Sequence, residues 1–189
     1  MNQKDSISTK RTYVLLRERM FELLTESSFE KLTLTEICNA SMIPRSTFYR
    51  YFEDKYDLLR YCLQTMLEDM KLTEDVICFK SMESIKEFLL ILLYHFSGNQ
   101  EQYQKIYQAN KEGILMQILR DDLKLILFEK LQRSREQGYS LKISLPIFTT
   151  LLTDFYFSIV TCYLELEDQI SIEEFVENVC LFADKDFFA

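Results

Sequence analysis

The sequence predicts an all-α protein, and three observations carry that prediction. Only three glycines and two prolines occur among 189 residues, and each falls beside an amphipathic stretch, where a helix begins or ends. The stretches between them are rich in Leu, Glu, Lys, Gln and Met, which favour helices. The sequence also lacks β-branched alternation bounded by a tight-turn pair such as Asn-Gly. We expect about nine helices, arranged as an N-terminal three-helix helix-turn-helix domain followed by a C-terminal helical bundle.

Capping residues mark the first turns of several predicted helices. Thr33 and Glu36 have the spacing of a capping box at the start of the second helix, and Ser171 and Glu174 have it at the start of the last. Pro44 lies at the opening of the third helix, where a missing N–H costs little. The predicted helices span, in chain order, residues 8–27, 34–40, 45–51, 55–78, 82–97, 100–110, 114–137, 145–166 and 172–184.

Charge is distributed unevenly along the chain. The net charge of −8 argues by itself against binding to a polyanion. Residues 1–60 contain ten Lys and Arg against nine Asp and Glu, whereas residues 61–189 contain twelve against twenty-one. Because attraction to phosphate depends on local charge, the acidic C-terminal part leaves the N-terminal part able to bind nucleic acid. The asymmetry favours two regions with different partners, which we divide into 1–54 and 55–189, connected by the helix predicted from residue 55.

Two short helices joined by a three-residue turn are predicted between residues 34 and 51. This spacing is typical of a helix-turn-helix, in which the second helix lies in the major groove of DNA. Short capped helices with an exposed arginine also occur in ordinary bundles, so the spacing alone leaves both interpretations open. The apolar positions expected to pack the pair are Leu34, Ile37, Ile43 and Phe48. The outward positions, whose side chains suit base edges and phosphates, are Arg45, Ser46, Thr47, Tyr49 and Arg50.

The stretch from Phe29 to Leu59, FEKLTLTEICNASMIPRSTFYRYFEDKYDLL, carries a longer pattern. It resembles the DNA-binding signature of the tetracycline-repressor (TetR/AcrR) family over about the first third of the chain. The matching positions are Phe29, Thr33, Ile37, Ile43, Arg45, Thr47, Phe48, Tyr49, Tyr51, Phe52, Lys55, Leu58 and Leu59. The resemblance implies a sequence-specific transcriptional regulator. It further implies a ligand-responsive repressor that binds a pseudo-palindromic operator in double-stranded DNA as a homodimer.

The resemblance also implies roles for individual side chains. Base edges are the expected partners of Arg45, Ser46, Thr47 and Arg50. Phosphates are the expected partners of Thr35, Tyr49 and Lys55, and Tyr51 is expected at the DNA backbone. Lys55 lies in the first turn of a helix, whose free N–H groups also favour an anion.

One departure from the family pattern concerns the turn. Met42 stands where the family usually has Gly. A left-handed conformation is unfavourable for Met by about 1 kcal/mol or more. We therefore expect either a turn that avoids positive φ or tertiary packing of Met42 that offsets the cost.

The region after residue 70 is where the resemblance implies effector sensing and dimerisation. Aromatic residues there can line a small-molecule pocket or fill the core, and the sequence leaves both open. The candidate pocket residues are Tyr94, His95, Tyr103, Tyr107, Phe128, Phe148 and Phe155. Apolar residues at three- and four-residue spacing on the last two helices form the candidate dimer interface. They are Phe148, Leu152, Phe155, Ile159, Tyr163, Phe175, Val179 and Phe182.

An enzyme and a protein–protein adaptor are the alternatives. The sequence lacks a glycine-rich phosphate loop, H-E-x-x-H and G-x-S-x-G, and its single histidine, His95, excludes a histidine-rich metal site. We predict no catalytic residue, metal or cofactor. An adaptor would not need Arg45, Arg50 and Lys55, and all three are present. With neither an apolar leader nor an apolar run of about 18 residues, we expect a cytoplasmic protein with no membrane partner.

Overall fold

The computed structural model describes residues 3–71, 82–136, 138, 141–166 and 169–184. Within these residues the chain forms nine α-helices and no strand, which confirms the predicted fold class. The helices are α1 (Gln3–Glu26), α2 (Leu34–Ser41), α3 (Arg45–Phe48), α4 (Lys55–Asp69), α5 (Met82–Ser97), α6 (Gln100–Asn110), α7 (Ile114–Glu136), α8 (Leu145–Glu165) and α9 (Ile172–Asp184).

Two helix boundaries differ from the predicted ones by five residues or more. The first helix begins at Gln3 rather than near residue 8, because its polar first residues include no helix breaker. The fourth helix ends at Asp69 rather than near Cys78. Lys71 has a φ of 51°, in the left-handed region that stops a helix. The rest of the predicted extension falls in residues 72–81, outside the described part of the chain.

The helices gather into two compact units. The first unit comprises Met1–Thr65 and Glu101–Leu119, and the second comprises Met66–Gln100 and Arg120–Ala189. The first unit therefore contains α6 and the start of α7 in addition to the helix-turn-helix. The sequence pattern did not indicate that α6 and the start of α7 belong to this unit. The functional division of the chain into residues 1–54 and 55–189, made from the sequence, stays a prediction.

The core of the first unit is contiguous. On α1, Leu16, Met20 and Leu24 recur at four-residue spacing and are at most 1% exposed, as one buried helix face requires. Around them lie Phe29, Leu32, Ile37, Ile43, Phe48, Phe52, Leu58, Leu59, Ile106 and Leu115. The core therefore includes Ile37, Ile43 and Phe48, as the sequence predicts, and it extends to side chains of α6 and α7.

The second unit is packed largely through aromatic rings. Phe88 of α5 stacks on Tyr156 of α8, with ring centroids 4.3 Å apart and planes 18° from parallel. Tyr163 of α8 meets Phe175 of α9 edge to face at 5.9 Å. These contacts join α5, α8 and α9 around one apolar interior.

The helix α8 is apolar on most of its surface. At 21 residues it is, among the described residues, the one helix long and apolar enough to cross a membrane, but core helices of soluble proteins pass the same test. The prediction that no apolar run reaches this length is therefore wrong for α8. Two threonine hydroxyls on its buried side bond within the helix: Thr149 donates to Leu145 O at 2.7 Å, and Thr153 donates to Thr149 O at 2.8 Å.

Several expected interface positions lie inside the second unit instead of on its surface. Leu152, Ile159, Tyr163 and Phe175 are each at most 7% exposed, so they pack within one chain. Because α8 is apolar on more than one face, the spacing of its apolar residues does not distinguish a core face from an interface, and the dimer interface stays a prediction. Phe148, Phe155 and Val179 are half-buried, and Phe182 is 67% exposed.

Candidate nucleic-acid interface

The start of α2 is fixed by the predicted capping box. Thr33 has extended backbone angles, its hydroxyl oxygen accepts from the Glu36 N–H at 3.3 Å, and the Glu36 carboxylate accepts from the Thr33 N–H at 2.7 Å. The Thr33 hydroxyl also donates to that carboxylate and holds the pKa of Glu36 below its ordinary value. The cap orients the first turn of α2, where Thr35 points into solvent.

The turn between α2 and α3 is left-handed at Met42. Its φ is 54° and its ψ is 32°, and its N–H bonds back to Asn39 O at 3.1 Å. The side chain is 91% exposed, so packing does not offset the backbone cost. Both alternatives expected from the sequence are therefore wrong: the turn does not avoid positive φ, and Met42 is not buried. The helix-turn-helix carries this strain in its turn.

The recognition segment, Arg45–Phe52, is one turn of α-helix followed by tighter turns. The regular helix α3 ends at Phe48, and the Arg50 N–H bonds to Thr47 O at 3.2 Å instead of to a carbonyl four residues back. The sequence predicts a regular helix to Tyr51. The turns keep the segment compact, with Phe48 and Phe52 buried on one side. Arg45, Ser46, Tyr49 and Arg50 are exposed on the other.

A hydrogen bond links the exposed ends of α2 and the recognition segment. The Arg45 guanidinium donates to the Thr35 hydroxyl. The two residues are ten positions apart, and both are exposed. A guanidinium has five N–H donors, so others remain for a ligand while Thr35 limits where the group points. The structure thus brings together one residue predicted at a base edge and one predicted at a phosphate.

An aromatic cluster supports the back of the recognition segment. Tyr13 of α1 packs against Tyr51 at 5.3 Å, Phe52 at 5.3 Å and Tyr61 of α4 at 4.8 Å between ring centroids. Burial raises the pKa of the Tyr13 hydroxyl. Tyr51 is half-buried in this cluster, and Arg50 lies over its ring at 5.7 Å. The Tyr51 ring therefore helps to hold the recognition segment in position, independently of any contact between its hydroxyl and DNA.

The first turn of α4 is already capped by carboxylates. Asp54 Oδ1 accepts from the Tyr56 N–H at 2.8 Å and from the Asp57 N–H at 2.9 Å, while Asp57 Oδ2 accepts from the Glu53 N–H at 3.1 Å. The free N–H groups expected to help bind a phosphate here are thus partly occupied. Two negative side chains lie beside them.

Lys55 has a different environment from the one expected of a phosphate contact. Its Nζ donates to Phe29 O at 2.7 Å, to Leu32 O at 2.8 Å and to Glu30 O at 3.3 Å. The ammonium lies 4.6 Å from the centre of the Phe29 ring. Burial lowers the pKa of Lys55. All three N–H donors are engaged with the loop between α1 and α2, so in this conformation none is directed at a ligand.

The candidate pocket residues are divided between the two units. Tyr103 and Tyr107 belong to the first unit, and the Tyr103 ring packs against Phe21 of α1 at 6.2 Å. The second unit contains Tyr94, His95, Phe128, Phe148 and Phe155. Tyr94 is 53% exposed, and its hydroxyl donates to the Glu173 carboxylate. The pocket stays a prediction for these residues.

Comparison with known families identifies the helix-turn-helix. Residues 19–62 match the family model described as "Bacterial regulatory proteins, tetR family". These residues include the end of α1, α2, the strained turn, the recognition segment and the start of α4. Residues 19–62 are therefore similar to the helix-turn-helix of the tetR family. The family model describes regulatory proteins, and the match confirms the predicted resemblance over this part of the chain.

Two relatives extend the comparison. Over 111 residues, the chain is 26% identical to the HTH-type dhaKLM operon transcriptional activator DhaS of Lactococcus lactis subsp. lactis, a match that covers 59% of this chain and 55% of that protein. The chain thus spans about half the length of this curated relative. The solved structure of the fatty acid degradation regulator FadR from Bacillus halodurans matches with a TM-score of 0.55 and 17% identity, covering 90% of this chain and 93% of that one. At that identity the second match supports the fold alone.

Proposed function

We propose that this protein is a member of the tetR family and regulates transcription by placing its recognition segment in the major groove of double-stranded DNA. The observation that carries the proposal is the common exposure of Arg45, Ser46, Tyr49 and Arg50 on a segment whose Phe48 is fully buried. A buried anchor with hydroxyl, phenol and guanidinium groups on its outer side suits readout of base edges and phosphates.

The contacts fall into two groups. Arg45, Ser46, Thr47 and Arg50 are assigned to base edges, and Thr35 and Tyr49 to phosphates. Thr47 is half-buried, so its hydroxyl is the least accessible of these groups. Tyr51 is assigned to the DNA backbone only through its hydroxyl, because its ring packs against Tyr13.

Lys55 is assigned a positioning role instead of a phosphate contact. Its three hydrogen bonds to the loop between α1 and α2 support this assignment. Lys55→Gln should then weaken DNA binding without changing its salt dependence, because no phosphate contact is lost. A slope of log K against log salt that falls by about one unit would restore the phosphate role.

The protein is proposed to act as a homodimer on a pseudo-palindromic site. Support comes from a strip of exposed residues on α8, formed by Ile147, Leu151, Ser158 and Cys162, whose two large apolar members are 57% and 59% exposed. Four-residue spacing places Leu151 beside Ile147 and Cys162 beside Ser158 on one helix face. A two-fold dimer through this strip would present two recognition segments to two half-sites.

We also propose that a small molecule acting on the second unit regulates DNA binding. We expect the protein to repress transcription. The curated relative DhaS is named a transcriptional activator, so the direction of regulation is a separate question. A reporter gene driven from the bound site, with and without the protein, answers it. Lower expression supports a repressor, and higher expression supports an activator.

Selection of bound duplexes from a random-sequence pool tests the central proposal. The full chain should enrich an inverted repeat with half-sites about one helical turn apart, or a multiple of that spacing. The variant Arg45→Ala should enrich a repeat with less information at particular base positions. Failure of the wild-type chain to enrich any duplex at moderate salt would contradict the proposal.

A further inference from the structure

A buried amide outside the matched segment holds the loop that precedes α2. Asn110, the last residue of α6, is 1% exposed. Its Oδ1 accepts from the Phe29 N–H at 2.7 Å, and its Nδ2 donates to Leu24 O at 3.2 Å and to Ile106 O at 2.8 Å. The amide therefore uses its acceptor and both of its donors. It satisfies a carbonyl in the last turn of α1, which lacks an intrahelical partner.

The peptide groups of Phe29 connect this amide to α4. The Phe29 N–H bonds to Asn110, and the Phe29 carbonyl accepts from Lys55 Nζ at 2.7 Å. Lys55 is the first residue of α4, three positions after Phe52, and the Phe52 ring packs against Phe48 of α3 at 5.6 Å. An unbroken series of contacts thus runs from α6 to the recognition segment, and all of it lies in the first unit.

A second contact ties the same loop to α7. The Glu30 carboxylate accepts from the N–H of Ile114, the first residue of α7, and this bond holds the pKa of Glu30 below its ordinary value. Gly113 leaves room for the carboxylate, since a Cβ at that position would lie 2.5 Å from Glu30 Oε1. The loop is therefore held by Lys55 from one direction and by α6 and α7 from another.

We propose that Asn110 is a positioning residue for DNA binding, acting through the Phe29 peptide and Lys55 on the start of α4 and the recognition segment. The inference rests on the proposed function. The physical reason is that only a side chain that both accepts and donates satisfies the three backbone groups, and burial keeps water from replacing it. Without the amide, the loop and the α4 residues bonded to it lose their unique position.

The test compares the full-length Asn110→Ala variant with the wild type on the duplex that the wild type enriches. Circular dichroism first establishes the temperature at which the variant is folded. At that temperature we expect about tenfold weaker binding, an effect of the size that one buried hydrogen-bonded group supports. The slope of log K against log salt should be unchanged, because the variant loses no phosphate contact.

The matched control is Ser134→Ala. Ser134 of α7 is 2% exposed, and its hydroxyl donates to Lys130 O at 3.1 Å within the second unit. This variant also loses a buried hydrogen bond, so its midpoint of thermal unfolding should fall, but its DNA affinity should match that of the wild type. A merely structural role for Asn110 would produce the same pattern in Asn110→Ala.

If Asn110→Ala does not fold, a second pair of variants tests whether the contacts that hold the loop between α1 and α2 affect DNA binding. Glu30 is exposed, and Glu30→Ala and Glu30→Gln both remove its charge, but only Gln retains an acceptor for the Ile114 N–H. We expect Glu30→Ala to bind DNA about threefold more weakly than Glu30→Gln. Equal affinities of these two variants would overturn the inference in that case.

The outcomes separate this inference from the proposed function. A wild-type chain that enriches no duplex contradicts the proposed function, and the inference falls with it. A wild-type chain that binds, together with a folded Asn110→Ala variant that binds within about twofold of it, overturns the inference alone.

Discussion

The two units are stabilised by different kinds of contact. In the first unit, buried or half-buried polar side chains reach backbone groups far away in the sequence, as Asn110 and Lys55 both do at Phe29. In the second unit, the buried hydroxyls of Thr149 and Thr153 bond within their own helix, and aromatic rings join the helices. Directional bonds specify one geometry, whereas apolar packing tolerates changes that conserve volume. We therefore expect the shape of the first unit to depend on these buried polar residues.

Removal of a central core ring is expected to have the largest effect in either unit. Phe48→Ala and Phe88→Ala each delete a ring that is at most 1% exposed, and each should lower the free energy of unfolding by about 3–5 kcal/mol. Urea denaturation followed by circular dichroism measures both. At a temperature where each variant is folded, Phe48→Ala should bind DNA weakly and Phe88→Ala should bind like the wild type. If Phe48→Ala and Phe88→Ala lost equal DNA affinity, the expected difference between the two units would be contradicted.

A charge on the exposed strip of α8 should separate the two chains. Leu151→Glu places a carboxylate at a position that is 59% exposed in the monomer, so folding should persist while a buried apolar interface is disrupted. Light scattering should show a dimer for the wild type and a monomer for the variant. A wild-type chain that is monomeric at micromolar concentration would rule out the proposed dimer.

Thiol reactivity offers a second readout of the same variant. Cys162 lies in the exposed strip, whereas burial raises the pKa of Cys62 to about 12. Alkylation of Cys162 should be faster in the Leu151→Glu monomer than in the wild-type dimer. Cys62 should be unreactive in both, because its thiolate is scarcely populated at neutral pH. Equal rates at Cys162 would place the interface elsewhere.

Arg45 should contribute to discrimination between DNA sequences. Arg45→Ala should weaken binding to the selected site by about 1–3 kcal/mol and relax specificity at one position. The control Arg45→Lys keeps the charge but loses the planar fork, so binding to unrelated duplexes should recover while discrimination should not. Fluorescence anisotropy with the selected and a scrambled duplex measures both. Equal losses on the two duplexes would assign Arg45 to the phosphate backbone.

The strained turn should show the smallest effect, and an effect of opposite sign. Met42→Gly relieves a left-handed backbone at a residue that is 91% exposed, so the free energy of unfolding should rise by about 1 kcal/mol. Met42→Ala retains a Cβ and with it the strain, so its stability should stay close to that of the wild type. Urea titration distinguishes them. Equal stabilisation by both variants would show that the side chain, not the backbone, is responsible.

The helix-turn-helix was largely predictable because its information is local. The capping box of Thr33 and Glu36 and the buried position of Phe48 follow from spacings of three to five residues. The left-handed conformation at Met42 was not predictable, since Met disfavours it and only the geometry of two packed helices imposes it. The environment of Lys55 was also missed, because its partners lie 23 to 26 residues away.

The sequence by itself determined the helical fold class, the order of the helices and four of the five outward-facing residues of the recognition segment, since Thr47 is half-buried. These properties depend on local propensity, on glycine and proline positions, and on apolar periodicity. The tertiary structure alone decided the partners of Lys55 and Asn110 and which face of α8 is buried. An amide pairs with a backbone group 81 residues away only after the chain has folded. A helix that is apolar on several faces is assigned an inner face only by its neighbours.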